Sequence, residues 1–337
     1  MTLIVRRKLA EQLVLVVRGR APSVCRVGAG ARMRWLRFGT GVVGIRRQVA
    51  DRGDCRSRWP RYVVPMQDRL GGDWITGLLR CPTCRHKLAS VERGLRCAEC
   101  GTRWPVDQVA LTLVRGDERH RALAARAMQS RWLARIYDRW WRPLAFRAAG
   151  AWQLPRFERE VELVLDRLGS TRGPWLDLSC GTGRVLERLC HAAPRGRVAG
   201  LDLSRSMLEQ ARRQAPEAVL IRADAEQLPL ASGAFGAIIN LAALDLYGNA
   251  PRVVSEAARV LAPGGRWVAS TFVSPAFVAR RQAVRRAVAS LTGIHAMTSG
   301  CLQDWVRAAG LVHYDERRWG NYLVAWADSP ASTTGAS

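Results

Sequence analysis

The chain has 337 residues, with 53 Lys and Arg against 28 Asp and Glu, a formal net charge of +25, and 48% hydrophobic residues. That length suffices for two domains and a substantial core, and no apolar run approaches a membrane span, which excludes an integral helical membrane protein. A charge of this size points to nucleic acid or an anionic membrane, but it is almost all arginine (Lys8 and Lys87 are the two lysines) and unevenly spread. Residues 1–65 hold 15 basic and 3 acidic residues, whereas residues 161–337 hold 20 and 15, so the C-terminal part is only mildly basic. Nine cysteines, four of them in two C-x-x-C pairs, argue against a secreted disulfide framework and for a reducing, cytoplasmic compartment.

Residues 1–70 show no persistent helical or strand periodicity and read as a basic, disordered extension. The Arg-rich, acid-poor start also fits an organelle transit peptide, a nucleic-acid-binding arm, or a stretch not translated at all, with Met66 as the true start. Leu13–Val17 is too short for a signal-peptide core.

Residues 71–114 carry two knuckles, Cys81-Pro-Thr-Cys84 and Cys97-Ala-Glu-Cys100, with twelve residues between them. Each knuckle sets two thiolates at neighbouring corners of a tetrahedron, and together they close a four-sulfur zinc site with no open coordination position, hence structural. Gly101 gives the second knuckle room to turn, and Leu79, Trp104 and Val106 supply apolar cover. The run Leu79-x-Cys81-Pro-x-Cys84, Cys97-x-x-Cys100-Gly101 and Trp104-Pro-Val106 resembles the small zinc-binding activator that partners tRNA, ribosomal and protein methyltransferases. The activator's usual Gly-Ile-Pro is replaced by Asp107-Gln-Val-Ala-Leu111, which implies a different docking edge.

Residues 115–155 read as a helical connector or cap, with Trp132, Tyr137, Trp140, Trp141 and Phe146 among arginines. Such a stripe suits a packing face, and also stacking on nucleic acid. Residues 156–328 then alternate regularly, and residues 329–337 form a tail. Strands are expected at Trp175–Leu178, Arg197–Asp202, Ala218–Arg222, Phe235–Leu241, Arg266–Phe272, Val312–Arg318 and Tyr322–Ala327. Helices are expected at Gly183–Ala192, Ser206–Gln214, Ala250–Leu261, about Phe277–Ser290 and Cys301–Ala309. Repeated strand–helix units predict an α/β, Rossmann-like parallel sheet, closed by an antiparallel hairpin at Gly320-Asn321.

The first strand runs into Asp177-Leu-Ser179-Cys-Gly181-Thr-Gly183, a turn whose glycines let a ligand approach free backbone N–H groups. Leu186 stands where a dinucleotide fingerprint needs its third glycine, and Asp177 would repel a pyrophosphate. An acid there suits an ammonium group, and the stretch resembles motif I of the class I S-adenosylmethionine-dependent methyltransferases. Asp202 ends the second strand, where an acid can accept ribose hydroxyls, and Leu203 and Met207 can sandwich an adenine. Asp224 ends the third, able to take the adenine amine while the Ala225 N–H donates to the ring; Asn240 closes the fourth beside the methionine portion. Three acids at successive strand ends converge on one crevice.

Residues 77–327 resemble the quinone-biosynthesis methyltransferases, and more closely a chloroplast and cyanobacterial group that also carries a zinc ribbon and a Tyr-x-x-x-Trp-Arg connector, here Tyr137…Trp141-Arg142. Ser179 in place of the commoner motif I glycine fits that group; relatives often carry a histidine where Asp245 stands. The resemblance implies a seven-stranded sheet, S-adenosyl-L-methionine and structural zinc as cofactors, and transfer of the sulfonium methyl to an acceptor. Asp245 and Tyr247, after the fourth strand, are the candidate catalytic residues, with His295 a weaker one. A small-molecule, lipid- or quinone-like acceptor is the first expectation. Ribosomal or transfer RNA held by the ribbon and connector, and a non-catalytic scaffold, are the alternatives.

Overall fold

A computed structural model describes five strands within residues 2–46, residues 74–114 except 93, and residues 130–137 with 140, 142, 144 and 146. It further describes residues 157–193, 197–274 and 281–331 except 293 and 296. The chain divides into two units, Met1–Val63 and Val64–Ser337. In the first, β1 (Thr2–Lys8), β2 (Gln12–Arg18) and β3 (Pro22–Val27) form an antiparallel sheet, and β4 (Met33–Phe38) pairs with β5 (Gly41–Arg46). Strand pairing occurs here without period-two alternation; runs such as Val14-Leu-Val-Val17 supply β-branched residues that suit extended backbone.

The second unit opens with the ribbon. Strands β6 (Leu88–Val91), β7 (Gly94–Cys97) and β8 (Arg103–Pro105) form an antiparallel sheet. The knuckles turn alike: Arg85 N–H donates to Cys81 O at 2.8 Å, and Gly101 N–H to Cys97 O at 3.1 Å. Both turning residues have positive φ, 64° at Arg85 and 69° at Gly101, so glycine relieves the second turn and arginine tolerates the first. Leu79 and Trp104 are buried as expected, and Val106 is partly so.

The main sheet has eight strands, not the seven expected. Its order is β15-β16-β14-β13-β10-β11-β12-β9, built from β9 (Leu111–Thr112), β10 (Trp175–Leu178), β11 (Val198–Asp202), β12 (Val219–Arg222), β13 (Phe235–Leu241), β14 (Leu261–Phe272), β15 (Val312–Trp319) and β16 (Tyr322–Asp328). Strands β9 to β14 run parallel, and β16 is antiparallel to both neighbours. The extra strand comes from the ribbon's tail: Ile221 pairs with Leu111, and Leu113 N–H donates to Arg222 O at 2.8 Å. A two-residue strand has too few positions to show a period, which is why only pairing reveals it.

Helices flank the sheet: α1 (Arg131–Ile136), α2 (Phe157–Leu168), α3 (Arg184–Ala192), α4 (Arg205–Gln214), α5 (Ala250–Val260), α6 (Gln282–Thr292) and α7 (Ser299–Ala308). Two cores result. One packs Leu186, Leu189, Leu208 and Ala211 with the sheet; the other packs Val253, Val254 and Ala257 together with the ribbon's Leu79, Leu95 and Trp104. Residues 275–280, the expected start of the helix over 277–290, lie outside the described residues, as does most of the 115–155 connector.

The ribbon is thus part of the domain's core. Leu79 bridges Leu230, Arg80 N–H donates to Pro229 O at 2.8 Å, and Ala231 N–H donates to Leu78 O at 2.8 Å. Glu256 on α5 gathers Arg259 at 2.8 Å and Arg85 of the ribbon at 3.5 Å, and accepts Leu228 N–H at 2.8 Å. Replacing the buried Leu79 by alanine is expected to cost about 2–5 kcal/mol, in one unfolding transition for ribbon and sheet alike. Urea unfolding followed by circular dichroism and by exposure of the four thiols checks this; two separated transitions would show the ribbon folding alone.

Candidate active site

At the C-terminal end of the parallel strands, the turn after β10 takes three left-handed residues: Ser179 (φ 60°), Gly181 (φ 53°) and Gly183 (φ 86°). Gly183 is required twice over, since a Cβ there would also lie 2.7 Å from the Ala211 Cα of α4. Ser179 tolerates the conformation with its hydroxyl 2.5 Å from the Tyr247 hydroxyl.

Asp177 is only 2% exposed, and its Oδ2 accepts no hydrogen bond. Burial, aided by the Asp202 charge, pushes its carboxyl up to about 8. Asp202 is also raised by burial, against the pull of backbone N–H groups from Ser204 at 2.8 Å and Gly181 at 2.9 Å. Asp224 accepts Glu226 N–H at 2.8 Å and starts a short 3-10 turn, Ala225–Gln227. Asn240 donates to Leu178 O at 2.7 Å and to the Tyr247 hydroxyl at 3.2 Å; its Oδ1, fully buried, has no hydrogen-bond partner.

A cavity of about 340 Å³ opens over these strand ends. Seven of the ten predicted cofactor residues line it: Ser179, Gly181, Asp202, Leu203, Met207, Asp224 and Ala225. Asp177 lines an adjoining chamber of about 70 Å³ with Tyr137, Arg142 and Arg184. Gly183 and Asn240 support the site from behind, through α4 and through Leu178. Leu241, Ala242, Ala243 and Leu246 make an apolar wall.

The two candidate catalytic residues are placed differently. Tyr247 lines the cavity, and burial raises its hydroxyl well above the ordinary tyrosine value. Asp245 is buried behind the wall, where burial pushes its carboxyl up to about 6 and Thr271 Oγ1 donates to it at 3.3 Å. The backbone N–H of His295, the weaker candidate, donates to Asp245 O at 2.6 Å.

Arg142 is a site residue that neither spacing nor composition reveals. It donates to Glu160 Oε2 at 2.9 Å and lies over the Phe146 and Phe157 rings, 4.5 and 5.1 Å from their centroids. Glu160, almost wholly buried, also accepts the Tyr322 and Ser270 hydroxyls, and Ser270 Oγ accepts Ala242 N–H at 3.1 Å. The connector is therefore tied to the cavity wall by a polar chain. Its one sequence signal was membership of the Tyr137…Trp141-Arg142 run. In the ribbon, the sulfurs of Cys81, Cys84, Cys97 and Cys100 all lie within 4.8 Å of one another, with Cys81–Cys100 at 3.6 Å and Cys84–Cys97 at 3.4 Å.

Residues 176–269 match a family model described as "Methyltransferase domain". The chain is 32% identical over 178 residues to the ubiquinone/menaquinone biosynthesis C-methyltransferase UbiE of Desulfotalea psychrophila, covering 46% of this chain and 72% of that protein. It belongs to the class I S-adenosylmethionine-dependent methyltransferases. This methyltransferase is also 27% identical over 301 residues to the uncharacterized methyltransferase At1g78140, chloroplastic, of Arabidopsis thaliana, across 80% of this chain and 83% of that one. With the demethylmenaquinone methyltransferase of Thermus thermophilus it shares 35% identity over 147 residues, 42% of this chain and 64% of that one.

The family's cofactor, a cation overall, suits the donor set: the buried Asp177 carboxyl keeps one oxygen without a partner, and apolar Leu203 and Met207 border Asp202 and Asp224 in the cavity. With its carboxyl raised to about 8 by burial, Asp177 is mostly protonated at pH 7. If the cofactor's ammonium pairs with Asp177, it selects the ionised form, and binding at pH 7 is expected to release up to one proton. Affinity should then rise with pH by up to about tenfold per unit until pH 8. Calorimetry in buffers of different ionisation enthalpy checks this; Asp177→Asn should abolish the release.

Proposed function

We propose that this methyltransferase acts on a small, lipid-like acceptor, with the ribbon holding one structural zinc ion. The observation that carries the acceptor reading is the division of the cavity into an acidic floor and an apolar wall. The quinone-type names of two relatives agree with it.

S-adenosylmethionine, when bound, supplies a methyl group already activated by its sulfonium. The chain's own residues bind and orient. Asp202 takes the ribose hydroxyls, Asp224 and the Ala225 N–H read the adenine edge, and Asp177 pairs with the ammonium. Leu241, Ala242, Ala243 and Leu246 exclude water from the acceptor side. Tyr247 keeps its proton at every physiological pH, since burial raises its hydroxyl. With Asn240 donating to its oxygen, that proton is directed toward Ser179 or an acceptor oxygen. Tyr247 is thus an orienting donor and not a base. Asp245, buried in the turn Leu244–Leu246 and accepting from Thr271 Oγ1, braces the stretch that leads to Tyr247. Zinc suits the ribbon because bonds of about 2.3 Å in a tetrahedron set sulfurs about 3.8 Å apart, close to the spacing of the four thiols.

Labelled methyl transferred to a cell extract should enter the organic phase; label confined to RNA or protein would overturn the acceptor reading. Tyr247→Phe is expected to lower kcat by about 10- to 100-fold while cofactor affinity changes little. Elemental analysis should find one zinc per chain, lost in Cys97→Ser.

A further inference from the structure

Where the ribbon meets α5, the second unit has another cavity, of about 640 Å³, which shares no lining residue with the cofactor cavity. Arg80 and Arg85 of the ribbon and Arg252 and Arg259 of α5 line it. Positions 252, 256 and 259 share one face of α5 by their spacing, and the Leu79–Leu230 bridge brings the ribbon's pair to that face. Glu256 is the one acid among the lining residues, and it is almost wholly buried. Burial would raise its carboxyl, but the Arg259 hydrogen bonds and the charges of Arg259 and Arg85 outweigh this and hold it below the ordinary carboxylate value. Glu256 is therefore ionised, and the lining carries four positive charges against one negative.

The four arginines are not equivalent. Arg259 spends its whole fork inside the fold. Its Nε and Nη2 donate to Glu256 at 2.9 and 2.8 Å, Nη2 also to Leu228 O at 3.1 Å, and Nη1 to Leu230 O at 2.9 Å and Ser232 Oγ at 3.3 Å. Arg80 donates through Nη1 alone, to Gly77 O at 3.0 Å and Leu79 O at 2.8 Å, which leaves Nε and Nη2 with no acceptor among the described residues. Arg85 gives Nη1 to Leu228 O and sets Nη2 3.5 Å from Glu256, leaving Nε. Arg252 gives Nε to Glu226 O at 3.2 Å and sets Nη2 3.5 Å from Glu256, leaving Nη1. Three guanidinium groups are thus anchored by backbone carbonyls with donors unspent. A fork fixed in this way loses little freedom when it takes an anion. Like charges gathered around one carboxylate repel one another, and a second anion relieves that repulsion.

A phosphate group matches these donors. It carries close to two negative charges at pH 7 and offers acceptor oxygens to forks arriving from several directions, whereas a carboxylate has one charge and two oxygens. No lining residue is aromatic, so nothing there stacks a nucleic-acid base. Leu230 is fully buried and the other apolar lining residues are alanines, which leaves nothing to enter a bilayer. We infer that this cavity is a second binding site, which takes the phosphate group of a small soluble molecule through Arg80, Arg85 and Arg252. Because ribbon and α5 both supply donors, the occupant clamps them together. The site stands whether or not the methyl acceptor is lipid-like.

The test titrates inorganic phosphate, and separately glycerol 3-phosphate, into the full chain by calorimetry in about 0.15 M sodium chloride, where long-range charge is screened. The comparison chains are Arg80→Gln/Arg252→Gln and, as a control for charge alone, Arg213→Gln/Arg307→Gln, two exposed arginines outside the cavity. The expected result is saturable binding and a melting temperature that rises with phosphate. Affinity should fall about tenfold or more in the first variant and stay unchanged in the control. If the first variant melts low without phosphate, Arg80→Gln alone carries the comparison, since that side chain bonds only carbonyls of its own turn. The inference is overturned if neither phosphate binds saturably, if the cavity variant binds like the wild type, or if both variants lose affinity equally. It is also overturned if the cavity substitutions abolish binding to RNA or to phosphatidate vesicles while the soluble phosphates never bind. Saturating S-adenosylmethionine should leave phosphate affinity unchanged; competition would put the phosphate in the cofactor cavity and remove the second site.

Discussion

Burying a carboxyl group without a partner is among the costlier things a fold can do, and the site depends on it. Asp177 sits under the turn after β10, next to Asp202, with one oxygen unsatisfied. Burial beside Asp202 raises the carboxyl to about 8, which favours its neutral form at pH 7. Everything around it serves that arrangement. The left-handed turn at Ser179, Gly181 and Gly183 folds the backbone over the acid, and the short side chains along α4 at Ala211 leave room for the turn. Parallel strands then bring the second and third acids to the same edge.

Much of this was readable in the chain. Asp177, Asp202 and Asp224 each end an apolar run, and in a parallel sheet such ends share one side, so their convergence follows from pattern and topology together. The cysteine spacing likewise dictates its own geometry. What was not readable has a common cause: it depends on partners far apart in sequence. Arg142, Glu160 and Tyr322 meet only because α2 packs on β14, the strand that β16 pairs with, while the connector comes back to α2. Asp245 has the composition of a base, yet the turn Leu244–Leu246 buries it behind the wall and leaves Tyr247 facing the cavity. Helical periodicity showed that the connector had an aromatic side; it could not show that Phe146 packs while Trp132 and Trp140 stay outside.

The ribbon, the connector and the sheet meet through a few shared residues. Glu256 collects an arginine of the ribbon and arginines of its own helix, and Arg212 of α4 donates to the ribbon's Val109 O at 3.0 Å. Arg205, the first residue of α4, pairs with Asp107 of the ribbon, one position after the Ser204 cap that begins that helix. These contacts join the ribbon to α4 and α5, and Ser204 and Met207 at the start of α4 line the cavity, so the four-cysteine knuckles and the cavity stand on common supports.

The position of β9 has one more consequence. Without it, β12 would be the last strand of the sheet, with its outward N–H and C=O groups at Ile221 and Arg222 open to any extended chain. The ribbon's tail occupies those groups, so the segment also works as a stopper against sheet-to-sheet stacking. A catalytic domain trimmed to begin after residue 114 would therefore carry a sticky border and gather into aggregates instead of remaining a well-behaved monomeric fragment.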